Sequence, residues 1–225
     1  PDVFGGPPPP LPKRCGAGTT LTYNIQNLNA DGRQLAEWAL ESWSDVTGIV
    51  FRSTSASDAD LRFDDSQPGA FAGPSSYDPR TGHINYSEIN VSTEWLSYGT
   101  TLDSYTFLTY LHEIGHALGL GHAGNYNGSA DFGVSNHYLN DSYQTTIMSY
   151  FSQTENTYVS GDYALPITPM IADVIAAQML YGTAVHSNHG DPAWFSESTA
   201  EGYPEASPHI TQTQPTHRRG GGERR

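Results

Sequence analysis

The chain has 225 residues, 36% hydrophobic and 12% aromatic, enough for one sizeable core or two small lobes. Its net charge of −14 is concentrated in the body, because Lys13, Arg14, Arg218, Arg219, Arg224 and Arg225 sit near the ends and only Arg33, Arg52, Arg62 and Arg80 lie between; such acidity argues against nucleic acid or an anionic membrane as partner. A single cysteine, Cys15, excludes an internal disulfide framework, and there is neither an apolar run of eighteen residues nor a signal-peptide pattern at Pro1 to Gly5.

In chain order, Gly5 to Pro12 is Pro/Gly-rich and reads as a polyproline II or unstructured linker, within an N-terminal segment 1–18. Thr19 to Ile25 has the β-branched and aromatic content of a first strand. Asp31, with Gln34 three residues on, is the expected cap of a helix carrying Leu35, Trp38, Ala39 and Trp43 at helical spacing up to Val46. Gly48 to Arg52 and Asp60 to Phe63 read as further strands, Ala70 to Tyr77 as a Gly/Pro/Ser loop, and His83 to Ser87 as an alternating strand with His83 on its surface.

Asp103 is the expected cap of a central helix with Phe107, Leu111, Ile114 and Leu118 as its core stripe. The same helix carries His112-Glu113-Ile114-Gly115-His116-Ala117-Leu118-Gly119-Leu120-Gly121-His122, the pattern H-E-x-x-H-x-x-G-x-x-H. His112 and His116, four apart, present both imidazoles on one face. Gly119 can stop the helix and turn His122 back toward them. Three nitrogen ligands leave a tetrahedral ion one open position, the arrangement of a catalytic zinc, and Glu113 is spaced to act as general base on a water there. Any one of these residues alone would read as an ordinary surface or core side chain; the five fixed positions together carry the reading.

A Gly/Asn/Ser-rich stretch, Gly124 to Asn140, follows with little periodicity. Thr168-Pro169 opens a last helix, with Ile171, Val174, Ile175 and Met179 as its apolar positions and Gly182 as its stop. From Thr183 to Arg225 the chain is polar, with His186, His189, His209 and His217 irregularly placed, and is expected to be a mostly disordered tail.

The histidine motif followed by Met148 resembles the metzincin clan of zinc endopeptidases. Within the clan, His122-Ala123-Gly124-Asn125-Tyr126-Asn127, Ile147-Met148-Ser149-Tyr150-Phe151 and Ala172 to Gly182 look most like the serralysin family, over roughly Thr19 to Gly182. Matrixin-like features come second: Trp43-Ser44-Asp45-Val46-Thr47 and Leu21-Thr22-Tyr23, with Lys13-Arg14-Cys15-Gly16 faintly similar to the inhibitory cysteine segment of that family. Ala123 stands where serralysins usually have Pro, and no glycine- and aspartate-rich calcium-binding repeat occurs, so calcium has no support from any repeat in this chain.

The resemblance implies an α+β fold: a metzincin-like two-lobed domain at 19–182, with a twisted mixed sheet and covering helices in the N-terminal lobe, a long active-site helix, and a smaller C-terminal lobe ending in a helix. It implies zinc on His112, His116 and His122, Glu113 as base, Met148 as an apolar floor, and Tyr150 as both resting ligand and oxyanion partner. It implies an endopeptidase that binds protein or peptide substrates extended along an edge strand, a monomer that is secreted and extracellular, with no nucleic-acid or membrane partner. The alternatives are a zinc-binding module without catalysis, against which the intact Glu113 argues, and a fragment of a larger secreted protein, which the missing repeats leave open.

Overall fold

The computed structural model describes residues 11–12, 18–81 and 83–183. Cys15 and the stretch from residue 184 onward lie outside the described residues, as do the expectations made for them.

Six strands form one sheet: β1 Leu11–Pro12, β2 Thr20–Asn24, β3 Val50–Ser53, β4 Leu61–Asp64, β5 Ala70–Tyr77 and β6 His83–Val91. The order β1-β6-β4-β2-β3 is parallel throughout, and β5 adds to β6 antiparallel, with Ala70 opposite Val91 and Tyr77 opposite Ile84. The sheet is therefore mixed, and the fold is α+β as expected. Parallel strands need crossovers that cover a face, and α1, Ala30–Val46, supplies one between β2 and β3. Its Leu35, Ala36, Ala39, Leu40 and Trp43 are buried in the core.

Three sequence expectations need correction here. Ala70 to Tyr77 is a strand and not a loop; at the edge, Pro74 lacks an N–H but owes no ladder bond on its free side, and the register shifts just after it. Leu11–Pro12 is a short strand beside His83 and Ile84 and not wholly linker. The caps also differ: α1 begins after Asn29, whose side chain accepts from Gly32 N–H at 2.9 Å, and Asp31 lies within its first turn.

The site helix α2, Tyr105–Ala117, is capped by Ser104, which accepts from Phe107 N–H at 3.1 Å, while Asp103 accepts instead from the Thr101 hydroxyl. Phe107, Leu111, Ile114 and Leu118 are wholly buried, as their spacing predicts. α2 crosses α1 tightly: Trp43 Nε1 donates to Leu111 O at 3.0 Å, and at Gly115 a Cβ would meet Met148 Sδ at 2.6 Å and Trp43 Cζ2 at 3.3 Å. Only glycine fits between those two side chains.

The last helix, α3, spans Ile171–Tyr181 rather than starting at Thr168, and stops at Gly182 with φ of 86°. Its buried face does not follow its apolar positions. Asp173, Ala177 and Tyr181 face inward, whereas Ile171, Ile175 and Met179 are 63%, 53% and 82% exposed. Polar anchoring sets the rotation: Asp173 Oδ2 accepts from Ile147 N–H and Met170 N–H, both at 2.8 Å, and Tyr181 Oη donates to Leu118 O at 2.9 Å. Among the described residues, no helix is long and apolar enough to cross a membrane.

Candidate metal centre and active-site cleft

The C-terminus of α2 is built to deliver a third histidine. Gly119, at φ of 100°, closes a Schellman turn in which Leu120 N–H bonds Gly115 O and Gly119 N–H bonds His116 O, each at 2.9 Å. Two further side chains meet the end of the helix, Ser87 Oγ donating to Ala117 O and Tyr181 Oη to Leu118 O. The backbone reverses at Gly119 and brings His122 back beside His112 and His116.

Each imidazole is held from behind by a backbone carbonyl. His112 Nδ1 lies 2.7 Å from Ile147 O, His116 Nδ1 2.8 Å from Leu120 O, and His122 Nδ1 2.7 Å from Tyr126 O. A carbonyl only accepts, so each Nδ1 carries the hydrogen and each Nε2 keeps a lone pair. Those three lone pairs converge: His122 Nε2 is 3.3 Å from His112 Nε2 and 3.0 Å from His116 Nε2. Burial is the main force holding all three rings below the usual imidazole range, pushing His112 down to about 3 and His116 to about 4. Neutral imidazoles with inward lone pairs are the form that binds a metal.

Zinc fits this donor set. A tetrahedral ion about 2.0–2.1 Å from each nitrogen sets neighbouring nitrogens about 3.3 Å apart, close to the spacings here. Borderline-soft nitrogen donors suit zinc, while a hard cation such as calcium takes oxygens. Glu113 follows the first histidine and turns toward the same cleft; it is 6% exposed, and its Oε2 has no hydrogen-bond partner among the described residues. Burial pushes its carboxyl up to about 8, and a nearby divalent cation pulls it down again.

The remaining wall is the turn at Met148. Met148 is buried against Gly115, and the Tyr150 ring packs 4.6 Å from that of His122 and 6.0 Å from that of His112. The Tyr150 hydroxyl accepts from Gly128 N–H at 3.3 Å. His83 is exposed at the start of β6 and does not line the cleft. The cleft, about 370 Å³, runs from Ala70 on the edge strand past His112, Glu113 and Tyr150 to Trp95, Tyr105 and Tyr143. Sequence reasoning missed these last three aromatic residues and Ala70. Trp95 sits on an unpredicted 3-10 turn, Thr93–Tyr98, and stacks on Tyr105 at 5.6 Å.

A model of the matrixin peptidase family matches residues 16–130, just over half of the chain and all three histidines. The chain belongs to the matrixin family. It is also serralysin-like: it is 33% identical over 187 residues to serralysin C of Dickeya chrysanthemi, 31% over 195 residues to metallopeptidase AprA of Pseudomonas marginalis, and 30% over 201 residues to serralysin of Proteus mirabilis. These alignments cover 76–80% of this chain and 38–40% of the relatives, so the matrixin-family chain spans about two fifths of the length of the curated relatives it matches.

Proposed function

We propose that this chain is a zinc-dependent endopeptidase, with the activity carried by residues 19–182, His112, His116 and His122 as zinc ligands, Glu113 as general base and Tyr150 as a mobile ligand and oxyanion partner. The observation that carries the reading is the unpartnered, buried Glu113 Oε2 beside three converged Nε2 atoms at an open cleft. A structural metal site gains nothing from such a carboxylate, and leaving it unpaired costs stability.

The chemistry that zinc supplies when bound is Lewis acidity toward a carbonyl oxygen and toward water. Glu113 takes a proton from the attacking water at a carboxylate oxygen and hands it to the departing amine nitrogen. Its low-polarity surroundings raise its basicity, which suits the first transfer, and the conjugate acid is strong enough for the second. Tyr150 can leave Gly128 N–H and donate its hydroxyl hydrogen to the developing oxyanion, a contact worth most in the transition state. An extended peptide fits beside β5, whose outer edge has free backbone groups and whose Ala70 lines the cleft. The substrates are thus unfolded or loop segments of proteins, met by a secreted monomer.

The test pairs the parent with Glu113→Ala on a denatured protein substrate, with zinc and with a chelator. Chelator-sensitive cleavage by the parent, and a mutant that keeps stoichiometric zinc but loses several orders of magnitude in rate, are the expected results. A mutant within tenfold of the parent, or one that no longer holds zinc, removes the role given to Glu113.

A further inference from the structure

The short loop after His122 holds two of the site's groups at once. At its start, Tyr126 O accepts from His122 Nδ1–H at 2.7 Å; at its end, Gly128 N–H donates to the Tyr150 hydroxyl. Between them the Tyr126 ring lies against both partners, 5.4 Å from the His122 ring at 28° and 4.8 Å from the Tyr150 ring at 40°, with Phe151 edge-on behind it at 5.4 Å. Beyond one isolated bridge between Asn127 and Ser129 the loop has no helix or strand to stiffen it, so side chains must fix its place.

What fixes it is a buried polar group in which Asp141 is the charged member, with Ser149 and the Tyr150 backbone also meeting the Tyr126 hydroxyl. The Tyr126 hydroxyl, on a residue only 7% exposed, sits 3.1 Å from both carboxylate oxygens of Asp141, which is 2% exposed. Asp141 is itself tied down, its carbonyl accepting from Asn156 Nδ2 at 3.0 Å. No catalytic step described above uses either side chain. At 3.1 Å to each oxygen the one phenol hydrogen is shared in a long, bifurcated contact, yet the carboxylate it meets is buried and therefore expensive to leave unpaired.

We propose that Tyr126, anchored by Asp141, is a positioning residue that holds His122 and Tyr150 as one unit. The inference rests on the ligand roles given above to those two residues. Without the anchor, the Tyr126 carbonyl is still present but no longer fixed, so His122 can turn away from its two companions. Partners that orient metal-binding histidines typically matter by 10–100-fold in affinity or activity.

The test reads zinc binding by the metal-free full chain against a chromophoric chelator, without substrate. Tyr126→Phe and Asp141→Leu should each weaken zinc about tenfold, and the double variant should be about as weak as either alone. Asp141→Asn, whose amide oxygen still accepts from the phenol, should stay within threefold of the parent. Zinc-saturated Tyr126→Phe should also lose about tenfold in kcat with KM little changed. Tyr126→Phe within threefold of the parent in zinc affinity, losses that simply add, or an Asn variant as weak as the Phe one, each overturn the proposal. Should Asp141→Leu fail to fold, the Phe and Asn variants decide by themselves. Because zinc affinity is read apart from turnover, a chain that binds zinc in this pattern yet cleaves nothing overturns the peptidase reading alone.

Discussion

Tyr150 rests on a weak support. Its oxygen meets one backbone N–H at 3.3 Å, near the long limit of a hydrogen bond, while its ring is packed on three sides by His112, His122 and Tyr126. A ring so held with an oxygen so loosely tethered can exchange partners at small cost. Tyr150→Phe is therefore expected to keep the fold and the metal, to lower kcat about a hundredfold through the lost oxyanion contact of about 3 kcal/mol, and to leave KM nearly unchanged. A structural tyrosine behaves otherwise, losing melting temperature and keeping its rate, so kcat, KM and a thermal melt on this one variant separate the two roles. His112, Glu113, His116 and His122 were legible in the sequence because their spacing maps directly onto one helical turn and the reversal after it. Tyr126 and Asp141 were not, since Tyr126 touches His122 through a carbonyl, a group that every residue has, and Asp141 lies fifteen positions further on.

Among the elements, α3 has the least expected influence on the site. Asp173 in its first turn accepts from the amides of Ile147 and Met170 and from the Thr146 hydroxyl, while the carbonyl of the same Ile147 holds His112. Helix, turn and ligand are thus linked in series. Asp173→Ala leaves the buried Ile147 amide unpaired and removes a helix cap, at about 3 kcal/mol together. A melting temperature about 10 °C lower is expected for a domain of this size, with weaker zinc binding alongside; a melt within 2 °C of the parent breaks the chain of reasoning. The sequence reading found this helix and its stop at Gly182 and marked Ile171, Val174, Ile175 and Met179 as its apolar positions, which are not the face that is buried. Apolar periodicity could not weigh a buried aspartate and a tyrosine hydroxyl against three larger apolar side chains. A similar limit hid β5: small residues, a glycine and a proline imitate a loop wherever a strand needs hydrogen bonds on one side only. The central helix α2 was legible because its stripe, its stop and its histidines all agree.

At the scale of the whole molecule, one continuous core joins the sheet to the later part of the chain, with Leu21, Leu61 and Ile89 in the same cluster as Tyr143, Ile147, Ala177 and Tyr181. A core of that extent is expected to supply most of the stability at this scale, whether or not an ion is bound. Dialysis against a chelator is expected to abolish cleavage while leaving a single cooperative melt, and added zinc should restore the rate without a denaturation step; a chain that melts without cooperativity once stripped contradicts this. The three carbonyls behind the imidazoles belong to Ile147, Leu120 and Tyr126, so hydrogen bonds of the fold itself orient all three rings. A ligand set oriented by backbone carbonyls asks nothing of the ion but to arrive, so folding and loading are expected to be separable, in either order.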